Sequence, residues 1–188
     1  MSFYRYRLIE VNIGMTTPWT LSTSVVQYAE PGAEDIHIPW DNTNNFQGIK
    51  ILDQTYIKTT KDLLHISRSP KIDITMKTWY LRATGFNFTN LPETISGIEV
   101  RLSGNRRGRI TDDTVQLCLA EELIGDNRAT LDLSPQKIYG TDTDLWNTQL
   151  TLSNIQDPTF GVVIRFQSHP RWPHKDSAFL DSVELRIY

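Results

Sequence analysis

The sequence predicts an all-β protein built as an antiparallel β-sandwich with an extended N-terminal arm. Three observations support this fold class: apolar and polar residues alternate with a period of two, turn residues separate the alternating runs, and no long segment shows a helical stripe. One turn of helix is expected at 152–158. Ser153 and Gln156 match a capping box there, and Pro158 would end the helix.

The alternation is clearest in the runs 71–83, 97–104, 114–120, 160–166 and 182–188. In 97–104 the charged Glu99 and Arg101 fall on the outer side, and in 182–188 Glu184 and Arg186 do the same. The side chains predicted to face the core in these two runs are Ile98, Val100, Leu102, Val183, Leu185 and Ile187. The basic segment 104–109 is interpreted as a hairpin loop, with a phosphate- or sugar-contacting loop as the alternative.

Length, charge and cysteine content limit the classes of function that the sequence allows. The 188 residues suit one domain, which we divide into an N-terminal arm and long loop region, partly strand, at 1–48 and a β-sandwich at 49–188. The net charge of −3 gives no overall field that would favour nucleic acid or a membrane surface. No signal peptide or membrane span is recognised. The single cysteine, Cys118, is interpreted as a small buried hydrophobe.

No catalytic or cofactor-binding motif is found, so we expect no catalytic residue and no cofactor. The four histidines do not show the spacing of a metal site. Asp112, Asp113 and Asp176 are weak calcium candidates, since loop carboxylates are usually just solvated. We therefore predict no metal.

Two regions carry candidate binding residues. The aromatic and basic residues Phe3, Tyr4, Arg5, Tyr6 and Arg7, together with Trp40 in the long loop 29–48, are candidates for contact with a partner. Arg171, Trp172 and His174 form a polar loop in which an exposed Trp172 would stack on a sugar ring or anchor an interface. The alternative is that Trp172 folds back over the core edge.

The sequence also resembles a known protein family, and this resemblance depends on an ordered series of residues. It covers 79–188, and its members are Leu81, Ala83, Thr84, Gly85, Phe86, Phe88, Ile95, Gly97, Ile98, Val100, Asp113, Val115, Leu117, Ile124, Gly125, Asn127, Tyr139, Gly140, Asp144, Leu145, Trp146, Leu150, Thr151, Ile155, Phe160, Gly161, Ala178, Asp181, Val183 and Tyr188. This series resembles a jelly-roll-like β-sandwich domain of tailed-bacteriophage virion proteins. The chain has Asn147 where that domain leads us to expect glycine.

The resemblance implies a structural protein of the virion, made in the host cytoplasm, in a tail, baseplate or fibre complex. A capsid decoration protein and a module that binds host-surface glycans are the alternatives. It also implies other virion proteins as partners and a homo-oligomer, either trimer or hexamer. Within the series we expect Leu145, Trp146, Ile155 and Phe160 to close one end of the sandwich, and Asp181 to precede the last strand and bind turn amides.

Overall fold

The computed structural model describes residues 16–32, 37–41, 57–58, 63–64, 76–130, 136–168 and 175–188. Within these ranges lie twelve strands and one short helix. In chain order the elements are β1 (Thr20–Leu21), β2 (Ser24–Tyr28), β3 (Ile57–Lys58), β4 (Leu63–Leu64), β5 (Met76–Lys77), β6 (Tyr80–Thr84), β7 (Ile98–Arg107), β8 (Ile110–Leu119), β9 (Glu122–Ile124), β10 (Gln136–Tyr139), α1 (Leu152–Gln156), β11 (Gly161–Ser168) and β12 (Lys175–Ile187).

The first sheet, sheet A, is organised around the long strand β12. Strand β12 pairs with β7, and β7 pairs with β10 at one edge of the sheet. On its other side β12 pairs in turn with β4, β3 and β1. All of these pairings are antiparallel, and the order across the sheet is β1, β12, β7, β10.

The second sheet, sheet B, is organised around β11. Strand β11 pairs with β8 on one side and with β6 and β5 on the other. Strand β2 lies beside β6, and β9 lies beside β8, so the order is β2, β6, β11, β8, β9. The predicted strand at 71–83 is divided, because Thr78 and Trp79 separate β5 from β6; residues 71–75 lie outside the described residues.

The two sheets face each other across one apolar core. The inward side chains predicted for the runs 97–104 and 182–188 are all buried. Sheet B contributes Leu81, Val115, Leu117, Val162 and Ile164, which are equally buried. Burying an aliphatic side chain of this size stabilises a fold by about 1.5–3 kcal/mol. The predicted antiparallel β-sandwich is confirmed.

The segment 104–109 is not the predicted hairpin loop. Strand β7 continues to Arg107 and β8 begins at Ile110, so Gly108 and Arg109 alone connect them. Since β7 belongs to sheet A and β8 to sheet B, this connection crosses from one sheet to the other. Alternation in a sequence shows which face of a strand is buried, but it does not show which sheet contains the strand.

The predicted helical turn is present as α1, but its cap is different. The hydroxyl of Thr151 accepts the N–H of Asn154 at 3.3 Å, and the side-chain oxygen of Asn154 accepts the N–H of Thr151 at 2.9 Å. Thr151, rather than Ser153, is therefore the first half of the capping box. In the part of the chain that the structure describes, no helix has the length and apolar character needed to cross a membrane.

Two further expectations require correction. Leu145 is exposed, although Trp146, Ile155 and Phe160 are buried and do close one end of the sandwich. Asp181 does not precede the last strand, because β12 begins at Lys175 and includes it. It lies at a register shift in the pairing of β12 with β7 and is 4% exposed.

Part of the N-terminal region 1–48 belongs to the sheets. Strand β1 pairs in sheet A and β2 pairs in sheet B, so the chain crosses between the sheets at Ser22. The N–H of Ser22 donates to the carbonyl of Val183 at 3.1 Å, and its hydroxyl donates to the carbonyl of Thr84 at 2.8 Å. This one residue ties both sheets together. Residues 1–15, 33–36 and 42–48 of the predicted arm region lie outside the described residues.

Candidate functional site

The sequence Asp-Leu-Trp-Asn at 144–147 forms a tight turn at one end of the sandwich. Trp146 and Asn147 both have left-handed backbones, with φ of +56° and +54°. The N–H of Thr148 donates to the carbonyl of Leu145 at 3.0 Å, which closes a type I′ turn. Asparagine is one of the few residues besides glycine that adopts this conformation readily, which explains how Asn147 stands where glycine was expected.

Trp146 is held by three hydrogen bonds. Its Nε1 donates to the carbonyl of Ile98, its N–H donates to Oδ1 of Asp144, and its carbonyl accepts the N–H of Asp126, each at 2.8 Å. The indole is fully buried. A bulky residue in the left-handed region costs roughly 1–2 kcal/mol, and these bonds and the burial offset that cost.

Two glycines leave room for Trp146, one beside its backbone carbonyl and one beside its indole. A Cβ on Gly125 would lie 2.2 Å from the carbonyl oxygen of Trp146. A Cβ on Gly140 would lie 2.2 Å from the carbonyl oxygen of Ile98 and 2.8 Å from Nε1 of Trp146. Both positions therefore require glycine. We call Trp146 and the residues that bind or adjoin it, Ile98, Gly125, Asp126, Gly140 and Asp144, the Trp146 clasp.

The clasp is fastened to sheet B by two polar side chains. Arg128 binds Asp144 through Nε at 3.0 Å and through Nη2 at 2.8 Å. The side-chain oxygen of Asn127 accepts the N–H of Val115 at 2.9 Å, and its amide donates to the carbonyl of Asp113 at 2.9 Å. Asn127 thus satisfies backbone groups of β8 that a further strand would otherwise pair.

The clasp contains many of the residues that carry the resemblance, and its polar atoms bond to one another. The carboxylate of Asp144 accepts from Arg128 and from the backbone of Trp146, so its charge is used to hold the turn. This arrangement fixes the end of a sandwich. It explains why Asp-Leu-Trp marks the fold.

A second polar cluster lies between the sheets around Asp112. Its carboxylate accepts from Nη2 of Arg106 at 2.7 Å and from the hydroxyl of Tyr139 at 2.5 Å, with Nζ of Lys137 at 3.8 Å. Burial raises the pKa of the Asp112 carboxyl, and the charge of Arg106 opposes that effect. The cluster joins β7, β8 and β10 through side chains.

Asp113 points the opposite way, onto the outer face of sheet B. It is the extra residue of a bulge, because Phe166 pairs with Asp112 while Arg165 pairs with Thr114. Its carboxylate accepts from Nε of Arg165 at 2.5 Å and lies 2.9 Å from Nζ of Lys77. Asp112 and Asp113 therefore do not converge on one calcium site.

The outer face of sheet B also carries an aromatic stack. The rings of Tyr28 and Tyr80 stack with centroids 5.1 Å apart. The guanidinium of Arg165 lies 4.1 Å from the Tyr80 ring, and that of Arg82 lies 5.7 Å from the Tyr28 ring. Guanidiniums cover the aromatic faces, so this stack stabilises the sheet and leaves little ring surface for a sugar.

The outer face of sheet A combines ion pairs with apolar side chains. Arg101 binds Glu184 through two nitrogens, at 2.7 and 2.5 Å, and Arg186 binds Glu99 at 3.1 and 2.6 Å. The two guanidiniums lie 4.2 and 4.4 Å from the ring of Trp19. We call the following set the sheet A face: Trp19, Leu21, Glu99, Arg101, Ile138, Glu184 and Arg186.

An open groove of about 520 Å³ lies near the N-terminus of α1. Its lining residues are Glu93, Thr94, Ile95, Leu150, Thr151, Leu152 and Ser153. Hydroxyl groups and one carboxylate line an aliphatic floor, which suits hydrogen bonding to a polar ligand.

Most of the predicted binding residues are not described by the structure. Phe3, Tyr4, Arg5, Tyr6 and Arg7 lie outside the described residues, as do Arg171, Trp172 and His174.

Trp40 is described and lies in the core, where it is 1% exposed. Its Nε1 donates to the carbonyl of Trp79 at 3.0 Å, and its ring meets Phe166 edge-on. Gln27 binds the backbone of Trp40 on both sides, through its amide nitrogen at 3.1 Å and its amide oxygen at 2.8 Å. The side chain therefore stabilises the sandwich and presents almost no surface to a partner.

The sequence interpretation did not select the residues of the sheet A face as a group. Alternation placed Glu99, Arg101, Glu184 and Arg186 on outer faces, and that orientation is correct. The sequence does not show the register between β7 and β12, and it is this register that brings the four charges together. Trp19 is half-buried on this outer surface.

Within the described ranges, no three His, Cys, Asp or Glu side chains converge as metal ligands would. Comparisons with protein-family models, with curated proteins and with solved structures find no match to the chain.

Proposed function

We propose that the chain is a non-enzymatic structural protein of a tailed-bacteriophage virion, which assembles into a tail, baseplate or fibre complex through its N-terminal arm. The observation that supports this proposal is the ordered residue series at 79–188, together with the structural role of its Asp-Leu-Trp segment. Since Asp144 and Trp146 hold the fold, the most distinctive part of the sequence needs no chemistry to explain it.

The attachment of the N-terminal region supports a role of residues 1–15 in assembly. Directly after them, the N–H of Thr17 donates to the carbonyl of Ile187, and the hydroxyl of Thr17 accepts the N–H of Ile187, both at 2.9 Å. Strands β1 and β2 then enter both sheets. The chain that directly follows residues 1–15 is therefore bonded to both sheets, which would give an assembly arm a firm attachment to the sandwich.

Deletion of residues 1–15 tests this proposal. We expect the truncated chain to remain a folded sandwich by circular dichroism, because β1 and the strands that follow are retained, yet to be absent from purified particles. A matched control replaces 1–15 by a Gly-Ser segment of equal length, which separates the sequence of the arm from its length. Normal incorporation of either variant would contradict the proposal.

The copy number in the particle separates the tail from the capsid alternative. We favour the tail, baseplate or fibre. Quantitative mass spectrometry of purified particles should then give at most a few dozen copies. Hundreds of copies would instead support a capsid decoration protein, since the capsid repeats its subunits far more often.

The groove at α1 supports glycan binding as a second candidate function. Glu93, Thr94, Thr151 and Ser153 supply carboxylate and hydroxyl groups of the kind that bind sugars. Trp172, predicted from the sequence to stack on a sugar together with Arg171 and His174, lies outside the described residues. Host-surface glycans are the expected ligands. If Glu93→Gln abolishes binding to a glycan array, the glycan site is the groove. If Trp172→Ala abolishes it, the glycan site is the loop. No glycan binding by the unmodified chain would remove this candidate.

A further inference from the structure

Residues 37–41, which we call the Trp40 segment, lie against sheet B without forming one of its strands. An isolated parallel bridge joins the segment to the sheet. In it, the N–H of Ile38 donates to the carbonyl of Lys77 at 2.9 Å, and the N–H of Trp79 donates to the carbonyl of Ile38 at 2.8 Å. A segment that joins a sheet through an isolated bridge opens more readily than a full strand of that sheet.

His37 begins this segment and lies in a cluster of ionisable side chains. The other members are Glu30, Lys77 of β5, Tyr80 of β6, Asp113 of β8 and Arg165 of β11. The side chain of His37 is 11% exposed, and its Nδ1 is buried. None of the described residues forms a hydrogen bond with this Nδ1, since Oε2 of Glu30 lies 3.7 Å away. Burial raises the pKa of Tyr80, which therefore stays uncharged.

The two carboxylates near His37 are already bound by cations. Oε2 of Glu30 accepts from Nη1 of Arg165 at 2.5 Å. Asp113 accepts from Nε of Arg165 at 2.5 Å and lies 2.9 Å from Nζ of Lys77. These two carboxylates and two cations balance while His37 is neutral. A proton on His37 would therefore give the cluster an excess positive charge in a largely buried place.

We propose that protonation of His37 loosens the Trp40 segment from sheet B, so that acid makes Trp40 accessible to a partner. His37 directly precedes Ile38, and the carbonyl that binds Ile38 belongs to Lys77. Repulsion between a protonated His37 and the two cations thus acts at the bridge itself. Trp40, a predicted partner contact, is buried while the segment is docked and becomes available when it opens.

The pKa of His37 shifts in the direction that this device requires. Burial lowers the pKa of the imidazole, and Arg165 and Lys77 lower it further. Glu30 and Asp113 oppose that shift only in part. The docked segment consequently binds a proton less readily than the open segment. Opening therefore becomes easier as the pH falls below about 6.5, the pKa of a free histidine, and levels off below the docked-state pKa.

Hydrogen exchange of the full-length chain tests the proposal. It is followed by NMR from about pH 7.5 to pH 5 and corrected for the intrinsic exchange rate at each pH. The probes are the amides of Ile38 and Trp79, which form the bridge. We expect their opening equilibrium to rise severalfold, and by at most about tenfold for each pH unit below about 6.5. The amide of Ile98 in the Trp146 clasp is the control, and its opening should not rise with it.

Two variants separate the proton on His37 from the shape of its side chain. In His37→Gln the side chain is polar but takes up no proton in this range, so opening at Ile38 and Trp79 should no longer depend on pH. Lys77→Met removes one of the two cations and should raise the pKa of His37, which makes the pH dependence smaller. Circular dichroism checks that both variants are folded.

The pKa of His37 in the unmodified chain is a second, direct measurement. Its ring resonances are assigned by their absence from the His37→Gln spectrum, and we expect a pKa below about 6.5. A pKa at or above that value would overturn the proposal. So would bridge amides that open equally at every pH, or an unchanged pH dependence in His37→Gln.

An equal rise at Ile98 would also overturn the proposal, because acid would then unfold the whole domain and not the Trp40 segment. Docking of this segment is a property of the isolated chain. None of these outcomes therefore bears on particle incorporation, which tests the proposed function separately.

Discussion

The indole Nε1 of Trp146 donates to the carbonyl oxygen of Ile98 at 2.8 Å, and this bond ties the 144–147 turn to the first residue of β7. Ile98 in turn donates its N–H to the carbonyl of Asp144 at 3.0 Å, so the turn and the strand exchange two hydrogen bonds. A buried carbonyl without a donor is costly, which makes the indole N–H as important as its apolar surface.

Gly140 should be intolerant of any side chain. Gly140→Ala places a methyl group 2.2 Å from the carbonyl of Ile98, in addition to the strain of φ +79°. Gly32→Ala is the matched control, since φ there is +80° and an added Cβ would meet no atom within 4 Å beyond the neighbouring residues. We expect Gly32→Ala to lower the unfolding free energy by about 1–2 kcal/mol, and Gly140→Ala to lower it by clearly more than that. Urea denaturation of both variants measures the two losses. Equal losses would show that the clasp is not tightly packed.

Asn147 should accept glycine but not a β-branched residue. At φ +54°, glycine is free of the strain that any Cβ brings, whereas valine suffers most. Asn147→Gly should change the unfolding free energy by no more than about 1 kcal/mol, and Asn147→Val should lower it by about 2 kcal/mol. Thermal unfolding of both variants measures this; a Val variant as stable as the Gly variant would exclude a left-handed backbone here.

Asp113 should contribute stability that is lost in acid. Burial alone would raise the pKa of its carboxyl, but hydrogen bonds from Lys77 and Arg165 and their positive charges hold it below its usual value. A lowered folded-state pKa stabilises the fold above the unfolded pKa of about 3.9, and this contribution fades as the pH falls through the folded-state pKa.

Asp113→Asn tests that pH dependence. The variant should be less stable than the unmodified chain at pH 7, and the difference should shrink as the pH is lowered below about 4. Urea denaturation at several pH values measures both curves. A difference that stays constant across this range would mean that the ionised carboxylate adds nothing to the fold.

Cys118 should be unreactive in the folded chain. The side chain is 0% exposed, and burial raises the pKa of its thiol to about 12, so almost no thiolate forms at neutral pH. We expect a thiol reagent such as DTNB to label it only after denaturation with urea. Rapid labelling of the native protein would contradict the buried position, which the sequence interpretation also gave.

The alternating strands could be predicted from sequence because each buries one face in a single core. Ile98, Val100 and Leu102 face inward as expected, and the same holds for the last strand. However, the periodicity of a strand does not show which other strands it pairs with. It therefore missed that β7 and β8 belong to different sheets, and that the bulge at Asp113 turns the two neighbouring aspartates to opposite sides.

The candidate sites were harder to predict for a related reason. The sheet A face exists because Glu184 pairs with Arg101 across strands that are distant in the sequence, and no local pattern reports that register. The helix cap is Thr151 rather than Ser153, because Thr151 and Asn154, three residues apart, form the reciprocal capping box.

The Asp-Leu-Trp-Asn segment at 144–147 has a structural role in closing one end of the sandwich. The unfolding free energy of Trp146→Phe tests it most directly, because phenylalanine keeps an aromatic ring but cannot donate to Ile98. We expect the unfolding free energy from urea denaturation to fall by about 2–4 kcal/mol, because the carbonyl of Ile98 loses its donor and the smaller ring leaves a cavity. A change within about 0.5 kcal/mol, the range of ordinary surface substitutions, would contradict it.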